Sequence, residues 1–288
     1  MPQILIEIIS IMTLALAFAA FSPARAQPLT PDSPASQPSP QIDSQADQDN
    51  RAVERELDRN ERRIQLNAVA FGDIIDFMRD TTNLNIYVDW KTLALAGVSP
   101  TQTLITISRN NIPLRQVFSE LLAATGSDAL EFQVAHGVVL ISTKLDFEDR
   151  KKQIGPYLTS LSDVERAAPF LNKRIPKVQL NSVALSDAID FLRDVTGAQI
   201  WVRWKPVKAI GIQQNTQVVI QMNGIGLSAI LYVLLDQAGG GKLGYTALPA
   251  QRPGHDRAHN PITVKTVLIT ISTVDDLLAN PPTTRPGP

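Results

Sequence analysis

Two histidines, His255 and His259, stand at H-x-x-x-H spacing beside Asp256, a pattern that aligns two zinc ligands when it falls on a helix. The surrounding run 250–261, AQRPGHDRAHNP, has Pro and Gly inside it and Pro behind it, so a solvated loop is expected instead. His136, the remaining histidine, sits with Gly137 at a turn. The string Gly239-Gly240-Gly241-Lys242-Leu243-Gly244 fits G-x-G-x-x-G, but a dinucleotide site needs strand, glycines, then helix. Here the glycines end a helical pattern and precede a strand, which reads as a helix C-cap and turn. Asp73, Asp76 and Asp80 with Arg79 recur as Asp187, Asp190 and Asp194 with Arg193. Paired carboxylates serve acid–base chemistry only when their environments split their pKa values. These fall on the polar side of an amphipathic helix with Arg alongside, as an ion-paired solvated face does, and their duplication argues against a single active site. The chain has no cysteine, which excludes disulfides, thiolate metal sites and a cysteine nucleophile. No nucleophile elbow and no P-loop is found. No enzyme activity, no cofactor and no metal is expected.

The elements that position these residues are written twice. Gln65–Lys91 lies over Gln179–Lys205 with 16 of 27 positions identical and no gap. After a one-residue deletion the match continues, with Leu114, Leu121, Leu122 and Gly126 over Leu227, Leu234, Leu235 and Gly239. Both copies close on Ile-Ser-Thr, at 141–143 and 271–273. Each copy predicts a strand over 64–69, a helix over 71–82, strands over 86–90 and 104–108, a helix opening at Pro113 and ending at Gly126, and a closing hairpin. The apolar spacing Phe71, Ile74, Ile75, Met78 and its counterpart Leu185, Ala188, Ile189, Leu192 marks the first helix's buried face. The expected fold class is α+β: two tandem β-α-β-β-α-β-β modules, each with two helices packed on small sheets.

Alternation along 86–90 and 200–204 places Ile and Val inward and sends Tyr87 and Trp201 outward, together with Asp89 and Arg203. Trp90 and Trp204 share the inward parity and are expected in the core or at its edge. Tyr87, Trp201 and Arg203 are the candidate partner-binding residues, on the outer sheet face and its open edge; the alternative for the two aromatics is that the linker or the other module covers them.

The rest of the chain gives its domain organisation. Residues 1–26 hold a 14-residue, almost wholly apolar run, Ile8–Phe21, followed by Ala24-Arg25-Ala26, a small-x-small cleavage site. A signal peptide cleaved after Ala26 is expected, although its first residues carry no Lys or Arg, and no integral membrane segment is expected in the mature chain. Residues 27–62 read as a Pro/Ser/Gln-rich spacer and a charged, solvated lead-in helix. Module one then spans 63–148, a linker 149–175, module two 176–275 with a long hairpin loop at 246–263, and a tail 276–288. The formal net charge of −1 excludes an electrostatic footprint for nucleic acid.

The pattern LNAVAFGDIIDFMRDTTNLNIYV…ITISRNNIPLRQVFSELLAATG…FQVAHGVVLIST resembles the secretin and TonB N-terminus short domain (STN). The resemblance covers 63–148 and 176–275, in two copies without a following barrel. It implies a periplasmic, non-catalytic protein–protein interaction or scaffold module of the bacterial cell envelope, with envelope proteins as partners, among them a secretin or another outer-membrane assembly component. The alternative is an exported enzyme or polysaccharide-binding protein that uses the 246–263 loop.

Overall fold

The computed structural model describes residues 45–152, Tyr157, 169–255, His259 and 261–281. The expected leader and most of the spacer lie outside these residues. The chain folds as an α+β protein in tandem modules. Module one runs α1 (Gln45–Leu57), β1 (Asn60–Ala70), α2 (Phe71–Thr82), β2 (Asn85–Val88), α3 (Trp90–Leu95), β3 (Leu104–Pro113), α4 (Leu114–Ala124), β4 (Leu130–Ala135), β5 (Val138–Thr143) and α5 (144–152). A 3-10 turn, Pro169–Asn172, precedes module two: β6 (Arg174–Ala184), α6 (Leu185–Thr196), β7 (Gln199–Val202), α7 (Trp204–Ala209), β8 (Gln217–Gly226), α8 (Leu227–Gly239), β9 (Leu243–His255), β10 (Pro261–Thr273) and α9 (Val274–Ala279).

Each module holds two small sheets. One is an antiparallel pair, β1–β3 or β6–β8; the other has three strands in the order β2-β5-β4 or β7-β10-β9, with the first strand parallel to the second. Both long first strands break register at the same place, where Ala68 and Ser182 take a left-handed conformation (φ 49° and 53°). This duplicated bulge bends the chain into the following helix. The apolar stripes of α2 and α4 meet Ile86, Val88, Val139 and Ile141 in module one's core. The helices of module two repeat the arrangement.

Several boundaries differ from those expected. The strand over 86–90 stops at Val88, because Asp89 caps α3: its carboxylate accepts from the Thr92 amide (3.1 Å) and hydroxyl (2.7 Å). Trp90 therefore opens a helix and meets Phe71 edge to face at 5.6 Å. The charged lead-in helix is not merely solvated, since α1 places Val53 and Leu57 in the core, Leu57 fully buried. Leu171, at the equivalent position of copy two, is also fully buried. The linker assigned to 149–175 begins inside α5 and ends in the 3-10 turn and β6. The tail assigned to 276–288 begins inside α9, where Leu277 is buried.

The largest departure is the hairpin loop expected over 246–263. Residues through His255 and from Pro261 onward are paired in register as a β-ribbon, from Leu243 opposite Thr273 to His255 opposite Pro261. Its 13-residue strands are about twice the six of β4 and β5. The prolines at 249, 253 and 261 are compatible with pairing because a two-stranded ribbon leaves each strand one side where no amide is needed.

Candidate functional site

The Ile-Ser-Thr tripeptide that closes both copies is a helix start as well as a strand end. Thr143 and Thr273 accept from the amides of Asp146 and Asp276, and Ser142 and Ser272 donate to the same aspartates at 2.7 and 2.6 Å. These boxes fix α5 and α9 against the ends of their sheets. The two helices then meet opposite charges at one repeated position. Asp89 of module one receives Arg150 of α5 (2.8 Å), whereas Arg203 of module two donates to Asp276 of α9 (2.9 Å) and to the Asn280 carbonyl (2.9 Å). Arg203, expected as a partner-binding residue, thus pins α9 and is about one-third exposed.

Arg150 goes further and joins the modules. Its guanidinium pairs with Asp89 and Asp146 on one side and with Asp236 of α8 on the other, and all four side chains are nearly buried. Burial alone would weaken Arg150's charge, but Asp236 and then Asp146 outweigh it and raise its pKa. Burial holds the Asp236 carboxyl above the usual carboxylate range, with Arg150 opposing. The cluster lines a groove of about 590 Å³ between the modules, with Tyr87, Lys91 and Lys242 also on its walls.

Tyr87 is 9% exposed and belongs to the core of module two, together with Val138 and Leu140 from the same outer face of module one's sheet. The expectation that Tyr87 faces solvent is therefore corrected: period-two alternation sends it outward, but α8 covers that side. Burial, then the carboxylates of Asp236 and Asp89, push its hydroxyl well above its ordinary value. Tyr232 of α8, whose hydroxyl burial pushes up to about 12, stacks on His136 at 4.7 Å, so the turn histidine also belongs to the junction. Asn85 completes it: its side-chain amide donates to the Asn223 carbonyl (3.1 Å), and its oxygen accepts from the Asn223 amide (2.8 Å).

Trp201, the counterpart of Tyr87, is 51% exposed. The edge beside it is less open than expected. Arg193 donates to the Ile200 carbonyl (2.8 and 2.6 Å), as Arg79 does to Ile86 (2.9 Å), so the duplicated arginines tie the first helix to the short edge strand. Capping this carbonyl blunts the edge against strand addition.

The other chemical motifs resolve as structure. Gly240 (φ 56°) closes α8 and Gly241 (φ 79°) turns the chain into β9, the reverse of a phosphate-binding order. A side chain at 244 would meet the Tyr157 ring, whose hydroxyl bonds the Tyr245 backbone. His255 ends β9 while His259 lies beyond it, so they share no helical face. Among the described residues no three His, Cys, Asp or Glu side chains gather as metal ligands do, and no helix is long and apolar enough to cross a membrane.

Sequence reasoning missed Arg150, Asp236, Tyr232 and Asn85. Two signals for them were present. One is T-x-x-D in both copies. The other is α8 itself, LSAILYVLLDQAG, apolar on every side where α4 is amphipathic; such a helix must be covered all round. No family model, no curated protein and no solved structure matches this chain.

Proposed function

We propose that this chain is a non-catalytic protein-interaction or scaffold module of the bacterial cell envelope, acting in the periplasm in the manner of STN domains. One observation carries the reading: the outer sheet face of module one holds a protein surface within the chain, while the equivalent aromatic of module two, Trp201, stands half in solvent. A large exposed aromatic on a small rigid sheet is the kind of anchor that dominates interfaces. Beside it Arg203 is held in place by Asp276, so the rim is ordered before any partner arrives.

The test is quantitative recovery of envelope proteins on immobilised chain, comparing wild type with Trp201→Ala. The expected result is at least a several-fold loss of specific recovery with an unchanged melting temperature. Equal recovery would remove Trp201 from the interface and this reading with it. Export is checked separately, by intact mass: the expected N-terminus is Gln27, and a retained Met1 in a cytosolic protein would overturn the periplasmic assignment.

A further inference from the structure

We propose that the cleft between β1 and α2 of module one is a strand-addition site for an extended acidic segment of a partner protein. This surface lies apart from Trp201, and neither docking role depends on the other.

The cleft holds about 80 Å³, several times the roughly 10–15 Å³ that one water needs, and α2 and α4 line it with Ile74, Met78, Val117 and Leu121. Its other wall is β1, seen from both faces: Ile64 and Leu66 on the inward side, Glu61, Arg63 and Gln65 on the outward side. Among the described residues none of β3 lines it. β1 pairs only with β3, so the cleft follows the edge of β1 whose backbone has no neighbouring strand. Module two shows what closing it takes. There Lys173 crosses from the start of β6 to the end of α6 and donates to the Thr196 carbonyl (3.0 Å), Ile175 is buried, and Val178 is fully so. The equivalents in module one are Arg59, Thr82, Glu61 and Ile64. Arg59 turns instead to Glu56 and Glu61 (3.0 Å each), where module two has Phe170 and Ile175, and Ile64 is left half-buried. Two acidic residues thus hold open in one copy what an aromatic and an aliphatic residue close in the other.

Charge and strand parity name the occupant. Arg63 donates to Gln65 (2.6 Å), a neutral partner, and no described carboxylate pairs with it. A strand laid along β1 sends alternate side chains to opposite faces, so apolar residues that enter the cleft are interleaved with residues that stand beside Arg63. A carboxylate is favoured there. Pairing across the cleft with the β1 of a second copy would set Arg63 against Arg63, which like charges oppose. Residues 27–44 of this chain carry five prolines, and proline cannot donate to a ladder. The occupant that fits is a partner segment alternating acidic and apolar residues.

Fluorescence anisotropy on the full chain tests this with a labelled pool of peptides of about eight residues, alternating Asp with Val, Leu, Ile or Phe. Saturable binding is expected, weaker by about tenfold or more with Arg63→Glu, an exposed position, at an unchanged melting temperature. Arg59→Lys combined with Glu61→Ile copies module two's closure and is expected to abolish binding while the chain stays folded. A pool that fails to bind overturns the proposal, as does equal binding of a pool with Lys in place of Asp, or binding that survives the closing double variant. Two further pools, N-methylated at the odd or at the even amides, test backbone pairing: if neither loses affinity, strand addition is wrong. Dimers of the chain alone that vanish with Arg63→Glu would make the occupant a second copy and overturn it too. None of these outcomes touches the Trp201→Ala recovery, so the two docking roles fail separately.

Discussion

Asp89 and Arg203 occupy the same position of the two copies with opposite charge, and each is paired to the helix that follows its own hairpin. In copy two the pair is self-contained, because Asp276 supplies the carboxylate. In copy one the cation comes from Arg150, which has donors left over for Asp236 of the other module. A charge inversion at one repeated site thus turns a local brace into a clasp between modules.

Arg150→Ala is expected to destabilise the chain by about 3 kcal/mol or more, because it strands buried carboxylates without a partner. Arg150→Met combined with Asp236→Leu is expected to recover only part of the loss, since it removes the most buried carboxylate but still leaves Asp89 and Asp146 without their cation. Denaturant unfolding of the single and double variants checks this. Equal stability of Arg150→Ala and wild type would dissolve the clasp.

The two outward aromatics should respond differently. Tyr87→Ala opens a cavity at the junction and is expected to cost roughly 3 kcal/mol. Trp201→Ala is expected to stay within about 0.5 kcal/mol of wild type, as exposed positions do. Thermal melts of the two variants decide it; comparable losses would place Trp201 in a packed environment.

Asp236 and Asp276 should tilt stability against pH in opposite directions. The folded-state pKa of Asp236 is raised by burial, so the fold holds that proton more tightly than the unfolded chain does. Its contribution is most favourable below the ordinary carboxylate value and declines as pH rises toward the raised one. At Asp276, burial acts upward, but the hydrogen bonds from Ser272, Arg203 and Asn280 prevail and lower the pKa. Its contribution is present above the ordinary value and is lost as pH falls through the lowered one. Relative to wild type, Asp236→Asn should therefore gain as pH rises from acid, whereas Asp276→Asn should lose. Melting temperatures across the acid range show whether the two differences run in opposite senses.

Module one needs its first helix. A fragment 45–152 is expected to melt cooperatively on its own, and a fragment 60–148 to be weaker by roughly 2–5 kcal/mol, the cost of emptying a fully buried leucine site at Leu57. Calorimetry of the two fragments tests it. Indistinguishable melts would mean that α1 contributes nothing.

The repeat, the helices over 71–82 and 185–196 and their buried stripes could be read directly, because a 3.6-residue period survives in both copies. What could not be read was which faces were covered from outside. Tyr87 and Trp201 have the same alternation and the same neighbours in sequence, yet only one is buried, and the cause sits 149 positions away at Asp236. The prolines and histidines of 250–261 suggested a loop because local punctuation was weighed alone; pairing with Pro261–Thr273 supplies the backbone bonds that make them a ribbon.

The capped carbonyls at Ile86 and Ile200 carry a consequence for how such a module diversifies. With one outward carbonyl of each four-residue edge strand already answered by arginine, backbone pairing there is weakened and recognition shifts toward the side chains at 87 and 201. Backbone pairing is promiscuous, because every chain offers the same groups, whereas a single aromatic is selective and replaceable. A duplicated module built this way can change its contacts by point substitution at one residue without disturbing its own fold, so Tyr87 in a buried junction and Trp201 at the surface are compatible with the same strand.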